Sequence, residues 1–154
     1  MTLLQVISAV EAAAMRQKSL RMIVRNDIFR LNTYADARYG VFGWTQGRHS
    51  GSASNDLMSW RFTFFYIDRL NESGRNEVEV QSVGIETLRN IIAALRGAGL
   101  EADSWTFETF TQRFMDECAG VFCSITLTAP VGWTCEETWP DFRRSDFNKD
   151  FLII

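Results

Sequence analysis

The sequence predicts an α+β fold: a mainly antiparallel sheet with a long hairpin, an N-terminal helix and a second helix packed across the sheet. Apolar residues recur at helical spacing in two segments, whereas other segments alternate apolar and polar residues. A Gly/Ser-rich gap also divides two aromatic segments, as in a hairpin. The 154 residues suffice for one domain that buries about 68–70% of the surface its unfolded chain exposes.

The N-terminal segment predicts the first helix. Thr2 followed three residues later by Gln5 matches a capping box, in which each side chain bonds the backbone N–H of the other residue. Apolar residues then recur at helical spacing, at Leu3, Ile7, Val10 and Ala14. We expect one face of this helix to be buried.

Two short β-prone runs follow the first helix. They cover residues 22–24 and 28–31, and the turn-favouring pair Asn26-Asp27 separates them. Both runs are predicted to be extended.

A long hairpin is predicted from residue 39 to residue 69. Its two strands, residues 39–46 and 60–69, are rich in aromatic and β-branched side chains. Between them lie glycines and serines, namely Gly47, Ser50, Gly51, Ser52, Ser54 and Ser59. The tip is too polar to pack on its own, so we expect it to be mobile.

The second strand of this hairpin is apolar on both faces. Trp60, Phe62, Phe64 and Tyr66 share one face, and Phe65 and Ile67 lie on the other with Thr63. Such a strand is either central in the sheet and covered on both sides, or covered by another subunit.

The middle of the chain predicts a turn, a third strand and the second helix. Residues 71–76 have turn composition, and residues 77–81 alternate like a half-buried strand, which would complete a three-stranded meander. Apolar residues then repeat at helical spacing at Ile85, Leu88, Ile91, Ile92 and Leu95. Gly97 stands where a glycine ends a helix.

Two more strands are predicted at residues 104–111 and 121–128, where the pattern alternates again. Cys123 falls among core positions of the second of these strands and is interpreted as a small buried apolar residue. The main domain is therefore predicted to span residues 1–130.

Residues 131–154 have no sustained periodicity and are predicted to form a C-terminal arm. Apolar anchors are spaced along this polar segment, at Trp133, Trp139, Phe142, Phe147 and Phe151. The pattern is typical of an arm that folds onto a partner. A final strand and loop on the chain's own sheet fits equally well, so both interpretations stay open.

Composition argues against several functions. The net charge is −3 and no run of Lys or Arg exceeds two, so the basic stripe typical of duplex DNA binding is missing. The apolar runs are far shorter than the roughly 20 residues that span a bilayer, and the N-terminus lacks the pattern of a signal peptide. Three cysteines, an odd number without a C-x-x-C pair, fit a reducing compartment.

No catalytic residue, metal site or cofactor is predicted. His49, the only histidine, lies in the hairpin tip, where nothing nearby in sequence holds its ring or activates a cysteine. One histidine and three scattered cysteines do not make a zinc site, and Gly97-Ala98-Gly99 follows a helix rather than preceding one. The pair Asp68-Arg69 suits a salt bridge within or between chains, or else a solvated turn.

Three stretches then resemble small structural proteins of tailed bacteriophages, in particular of the Bacteroides-infecting, crAss-like group. They are RYGVFGWTQ at residues 38–46, FYIDRL at residues 65–70 and VQSVG at residues 80–84. With the predicted order of elements, the chain up to about residue 130 resembles the tail-terminator family, which includes tail-completion and head–tail joining ring proteins.

The resemblance implies a non-enzymatic virion subunit in the tail or neck, assembled in the cytoplasm of the bacterial host. It would form a closed ring with copies of itself, join other tail or connector proteins, and contact DNA only as it passes non-specifically through the channel. No membrane contact is implied. The interface candidates are Arg48, His49, Asp68, Arg69, Trp133, Trp139, Phe142, Phe147 and Phe151.

Two other functions remain open from the residues alone. A small-ligand-binding or catalytic α+β domain would have an aromatic pocket lined by Trp60 or Phe64. A monomeric adaptor would bind one protein partner along an exposed strand edge.

Overall fold

The computed structural model describes residues 1–28, 31, 38–52, 54–111, 117–131 and 151–154. Its helices are α1 (Leu3–Met15) and α2 (Glu77–Leu95), the latter followed by a 3₁₀ turn at Arg96–Ala98. Its strands are β1 (Met22–Arg25), β2 (Val41–Gln46), β3 (Ser50–Ser52), β4 (Leu57–Arg69), β5 (Glu101–Thr111), β6 (Cys118–Pro130) and β7 (Leu152–Ile153). The predicted α+β class is confirmed.

The strands form one seven-stranded sheet in the order β5-β6-β4-β2-β1-β7, with β3 paired to β4. The prediction of a mainly antiparallel sheet holds only in part, because β1 pairs in parallel with both β2 and β7. Residues 26–40 separate β1 from β2, which is long enough for the crossover that parallel neighbours require. Ile28 lies in a turn and Leu31 is helical, so the extended conformation predicted there is wrong at both residues.

Helix α1 begins at the predicted capping box. The Thr2 N–H donates to Gln5 Oε1 at 2.6 Å, and the Gln5 N–H donates to Thr2 Oγ1 at 3.2 Å. Its buried face includes Val10 and Ala14 as predicted, whereas Leu3 and Ile7 are half-buried.

The hairpin is confirmed, because β2 and β4 pair along their length with Trp44 opposite Phe64. The tip is more ordered than expected, since β3 folds back on β4 and places Ser50 opposite Ser59. Main-chain hydrogen bonds require no apolar side chains, so a Gly/Ser-rich run can still form a strand beside a long one.

Strand β4 lies between β2 and β6, which confirms the central position allowed by its two apolar faces. One face joins the helices in a first core, which contains Phe42, Trp44, Trp60, Phe62, Phe64, Tyr66, Leu88, Ile91, Val121 and Cys123. The other face contributes Phe65 and Ile67 to a second, smaller core with Met22, Val24, Leu31, Val41, Phe110 and Cys118.

The strand predicted at residues 77–81 is wrong, and with it the three-stranded meander. These residues are the first turns of α2, which packs across β4, β5 and β6. Val80 is buried while Val78 is 75% exposed, so the short apolar-polar alternation arises from helical geometry. Glu77 and Glu79 also suit a helix N-terminus, where the helix dipole favours negative charge.

The α-helix ends at Leu95 with Arg96 as its C-cap, so Gly97 is the residue after the cap, as predicted. The left-handed position that terminates the 3₁₀ turn is Gly99, with φ of 76°. Among the described residues, no helix is long and apolar enough to cross a membrane.

Candidate interaction surfaces

The loop before β3 holds His49 against its own chain. The imidazole packs on Trp60 and Phe62, with ring centroids 5.2 and 5.6 Å away. Its Nδ1 accepts from the Arg61 N–H at 3.2 Å, so Nε2 carries the ring proton and donates to Gln46 Oε1 at 3.3 Å. The expectation that nothing nearby fixes this ring is therefore wrong, whereas neighbouring Arg48 is exposed.

Asp68 and Arg69 lie at the end of β4 and contact other residues of the same chain. Asp68 accepts from the Tyr66 hydroxyl at 3.2 Å and from the Arg69 N–H at 2.8 Å. The Arg69 guanidinium carbon lies 4.8 Å from the centre of the Tyr39 ring, in a cation–π arrangement. Burial, reinforced by the negative charge of Asp68 and its hydrogen bond, raises the pKa of Tyr66.

A buried carboxylate that the sequence analysis missed joins α1 to the sheet. Glu11 is 5% exposed and binds Arg25 through two hydrogen bonds of 2.5 Å. It also accepts from the Trp44 indole N–H at 3.1 Å. The hydrogen bond to Glu11 is the main cause that raises the pKa of Arg25. A glutamate within the alanine-rich stretch of α1 was the only sequence signal for this group.

The described residues cover only part of the sheet face that lies away from α1 and α2. Beyond the second core, an open hydroxyl-lined face surrounds Arg61, formed by Thr45, Ser59, Thr63, Ser104, Thr106, Ser124, Thr126 and Thr128. Arg61 is exposed and lies opposite Thr126, which in turn lies opposite Ser104. Within the described ranges, its guanidinium forms no ion pair.

Among the described strands, β5 forms one edge of the sheet, and most of its residues are exposed. Trp105 is 44% exposed, and its cross-strand partner Ile125 belongs to the first core, so the indole is on the helix side of the sheet. Glu101, Asp103 and Glu108 make the edge acidic, with no Lys or Arg in the strand. A register shift between Ala102 and Ser104, of the kind that a β-bulge produces, interrupts regular pairing near the start of β5.

The other edge is formed by the last residues of the chain. The Leu152 N–H donates to Arg21 O at 3.2 Å, the Ile154 N–H donates to Ile23 O at 3.0 Å, and the Arg25 N–H donates to Ile154 O at 3.3 Å. Phe151 packs against the first core. Residues 151–154 therefore agree with the second interpretation, in which the end of the chain forms a strand on its own sheet. Four predicted anchors lie outside the described residues: Trp133, Trp139, Phe142 and Phe147.

The two described cysteines, Cys118 and Cys123, are both buried. Burial raises the pKa of the Cys123 thiol to about 12, so this group stays protonated near neutral pH. Within the described residues, no group of three or more His, Cys, Asp or Glu side chains could hold a metal ion. Trp60 and Phe64 are buried in the first core, and the open groove along the hydroxyl-lined face has neither of them in its wall.

No protein-family model matches the chain, and a search of curated proteins finds no match either.

Proposed function

We propose that the protein is a structural virion subunit that forms a ring with copies of itself at the tail or head–tail connector of a tailed bacteriophage. It would join adjacent rings during assembly and carry out no catalysis. The phage location is supported by the resemblance of residues 38–46, 65–70 and 80–84 to small structural proteins of tailed bacteriophages. Assembly is supported by one observation, a pair of unlike surfaces on opposite sides of the subunit.

The first surface is the hydroxyl-lined face, in which Arg61 supplies a positive charge. The second is the solvent side of α2, where Glu79, Val83 and Glu86 follow one another at i, i+4 and i+7 and are all exposed. Helix α2 packs on the side of the sheet opposite Arg61, so these surfaces face away from each other in one subunit. Contact between unlike surfaces propagates from copy to copy and closes into a ring when the rotation allows it.

The charges of the two surfaces are complementary. Two exposed glutamates on α2 of one copy would meet the exposed Arg61 of the next, and the half-exposed Val83 would be covered between them. The hydroxyl groups around Arg61 can exchange hydrogen bonds with water for bonds with the neighbouring helix. This contact would set orientation more than affinity, as expected for a subunit that also needs its virion partners.

The first test measures the mass of the protein by light scattering across a concentration series, with electron microscopy of any large species. Arg61→Glu should shift assembly to at least about tenfold higher concentration, because the carboxylate would face Glu79 and Glu86. Arg75→Glu makes the same charge change in the exposed turn before α2 and should assemble like the wild type.

A charge exchange makes the test specific to this contact. Combining Arg61→Glu with Glu79→Arg and Glu86→Arg should restore assembly, since the attraction is rebuilt with reversed signs. Failure of the triple variant to assemble, while each variant stays folded by circular dichroism, would contradict the α2 contact. A wild-type protein that remains monomeric alone and with every phage tail or connector protein tested would contradict the ring itself.

A second candidate function is supported by the exposed edge of β5. An adaptor that binds one protein partner by strand addition would use such an edge. It would give a 1:1 complex at every concentration, and Arg61→Glu would leave that complex unchanged.

A further inference from the structure

An irregularity in strand pairing separates β2 from β3, although both strands lie along β4. Strand β2 ends opposite Phe62, and β3 begins opposite Ser59. Residues 47–49 therefore lie opposite only two residues of β4, at positions 60 and 61. One extra residue on one strand is the arrangement of a β-bulge, which interrupts the regular ladder of main-chain hydrogen bonds.

The bulge leaves the Arg61 N–H without its usual main-chain partner, and the His49 side chain supplies one. The Gly47 N–H donates to the Arg61 carbonyl at 2.8 Å. In a regular antiparallel pair, the Arg61 N–H would donate back to the Gly47 carbonyl. It donates instead to Nδ1 of His49 at 3.2 Å. The imidazole therefore takes the place of a main-chain carbonyl at the junction of β2 and β3.

This contact requires the neutral form of the His49 ring. A backbone N–H can only donate, so Nδ1 must be without a proton, and Nε2 carries the ring proton toward Gln46 Oε1 at 3.3 Å. The amide group of Gln46 is oriented in turn by its Nε2, which donates to Asn26 Oδ1 at 3.2 Å. Protonation of His49 Nδ1 would set two donors against each other and remove the acceptor for the Arg61 N–H.

The groups around the ring do not restore that acceptor. Trp60 and Phe62 of β4 are uncharged, and their rings attract a cation without accepting the Arg61 N–H. The charged neighbours in the chain and across the bulge are both cationic, namely Arg48 and Arg61. In the part of the chain that the structure describes, no carboxylate forms an ion pair with His49.

We propose that His49 is a pH-sensitive latch, whose neutral ring holds residues 47–52 on β4 and whose protonation releases them. Strand β3 adds little to this attachment, because none of its three residues, Ser50–Ser52, is buried. Histidine is the side chain that ordinarily changes charge between pH 5 and 8, so this interval is the one to test. The latch uses the backbone of Arg61 and does not depend on the ring contact proposed for the Arg61 side chain.

NMR of the wild-type protein tests the latch, because the single histidine of the chain gives unambiguous ring signals. As the pH is lowered from 8 to 5, the Arg61 amide shift should change with the same midpoint as the His49 ring signals. Protection of the Arg61 amide from hydrogen exchange, corrected for the pH dependence of exchange itself, should fall at least about fivefold, as expected for the loss of one hydrogen bond. The heteronuclear NOE of Gly51 should fall with it.

Two substitutions separate the effect of the proton from that of packing. His49→Asn places an amide oxygen where it can accept from the Arg61 N–H, and this amide does not titrate. The Arg61 amide should therefore stay protected at both pH 8 and pH 5. His49→Phe keeps a ring beside Trp60 but has no acceptor, so the Arg61 amide should exchange rapidly at both pH values.

Several outcomes would overturn the proposal. One is a difference in midpoint between the His49 ring and the Arg61 amide, and another is unchanged protection of Arg61 between pH 8 and 5. An acid-dependent loss in His49→Asn equal to that of the wild type would also overturn it, since another group would then be responsible. Arg61→Glu retains the backbone N–H and should titrate like the wild type, whether or not rings form. If the latch fails while rings still respond to Arg61→Glu, the ring proposal stands.

Discussion

At the residue scale, Tyr66 shows how much of the first core depends on close packing around one large side chain. Gly40 and Gly84 both lie against its ring, and a methyl group at Gly84 would come within 2.7 Å of Tyr66 Cδ1. The hydroxyl has one described partner, Asp68. The two glycine contacts could not be predicted from the sequence, because they join segments distant in the chain.

The buried phenol of Tyr66 makes the stability of the fold decrease at alkaline pH. Its pKa in the fold is raised above the ordinary value of 10.0, so the folded chain retains the proton that the unfolded chain loses. This contribution to stability is complete below pH 10 and decreases as the pH rises above it. The free energy of unfolding from urea titrations between about pH 8 and 11 should therefore fall less steeply in Tyr66→Phe than in the wild type. Equal slopes in the two proteins would contradict this assignment.

At the scale of elements, the sequence predicted the helices and strands whose residue pattern lies within one short segment of the chain. The Thr2 capping box, the β2–β4 hairpin and the alternation of β6 all depend on neighbouring residues, and each was found as expected. The parallel β1 pairings and the β7 strand join distant segments, which periodicity does not record. The strand prediction for residues 77–81 was wrong because five residues of alternating polarity fit either a strand or the start of a helix.

The close approach of β6 to β4 gives a prediction at this scale. Gly120 lies opposite Ile67, and an added methyl group would overlap the Tyr66 carbonyl oxygen and the Phe110 ring. Gly120→Ala should therefore lower the free energy of unfolding by about 3 kcal/mol, as for other overpacked core positions. Gly97→Ala is the matched control, because nothing lies within 4 Å of the added methyl group. Chemical denaturation of both variants measures the difference, and equal stabilities would refute the predicted clash.

At the scale of the whole molecule, the last residues close one side of the sheet. Removing Leu152–Ile154 deletes at least three main-chain hydrogen bonds that join them to β1 and its flanking residue Arg21. We expect the free energy of unfolding to fall by about 3 kcal/mol, since each such bond contributes about 1 kcal/mol. Ile153→Ser changes only a partly exposed side chain and should cost far less. Unchanged stability of the shortened chain would show that β7 contributes little.

The sequence predicted candidate surface residues that are adjacent in the chain and missed surfaces that several strands form together. Asp68 and Arg69 were singled out because they adjoin in the chain, although both contact their own subunit. The hydroxyl-lined face around Arg61 was missed because its residues come from four strands, β2, β4, β5 and β6. The acidic β5 edge was missed for a related reason, since only the strand order reveals that no other described strand lies on the outer side of β5.

The partial exposure of Trp105 has an optical consequence. An indole in contact with water emits at longer wavelength than a buried one, and the two described tryptophans outside β5, Trp44 and Trp60, are already buried. A partner strand that covers β5 would therefore shift tryptophan emission toward the blue. The difference spectrum between the wild type and Trp105→Phe would isolate that shift, so assembly could be followed without any attached dye.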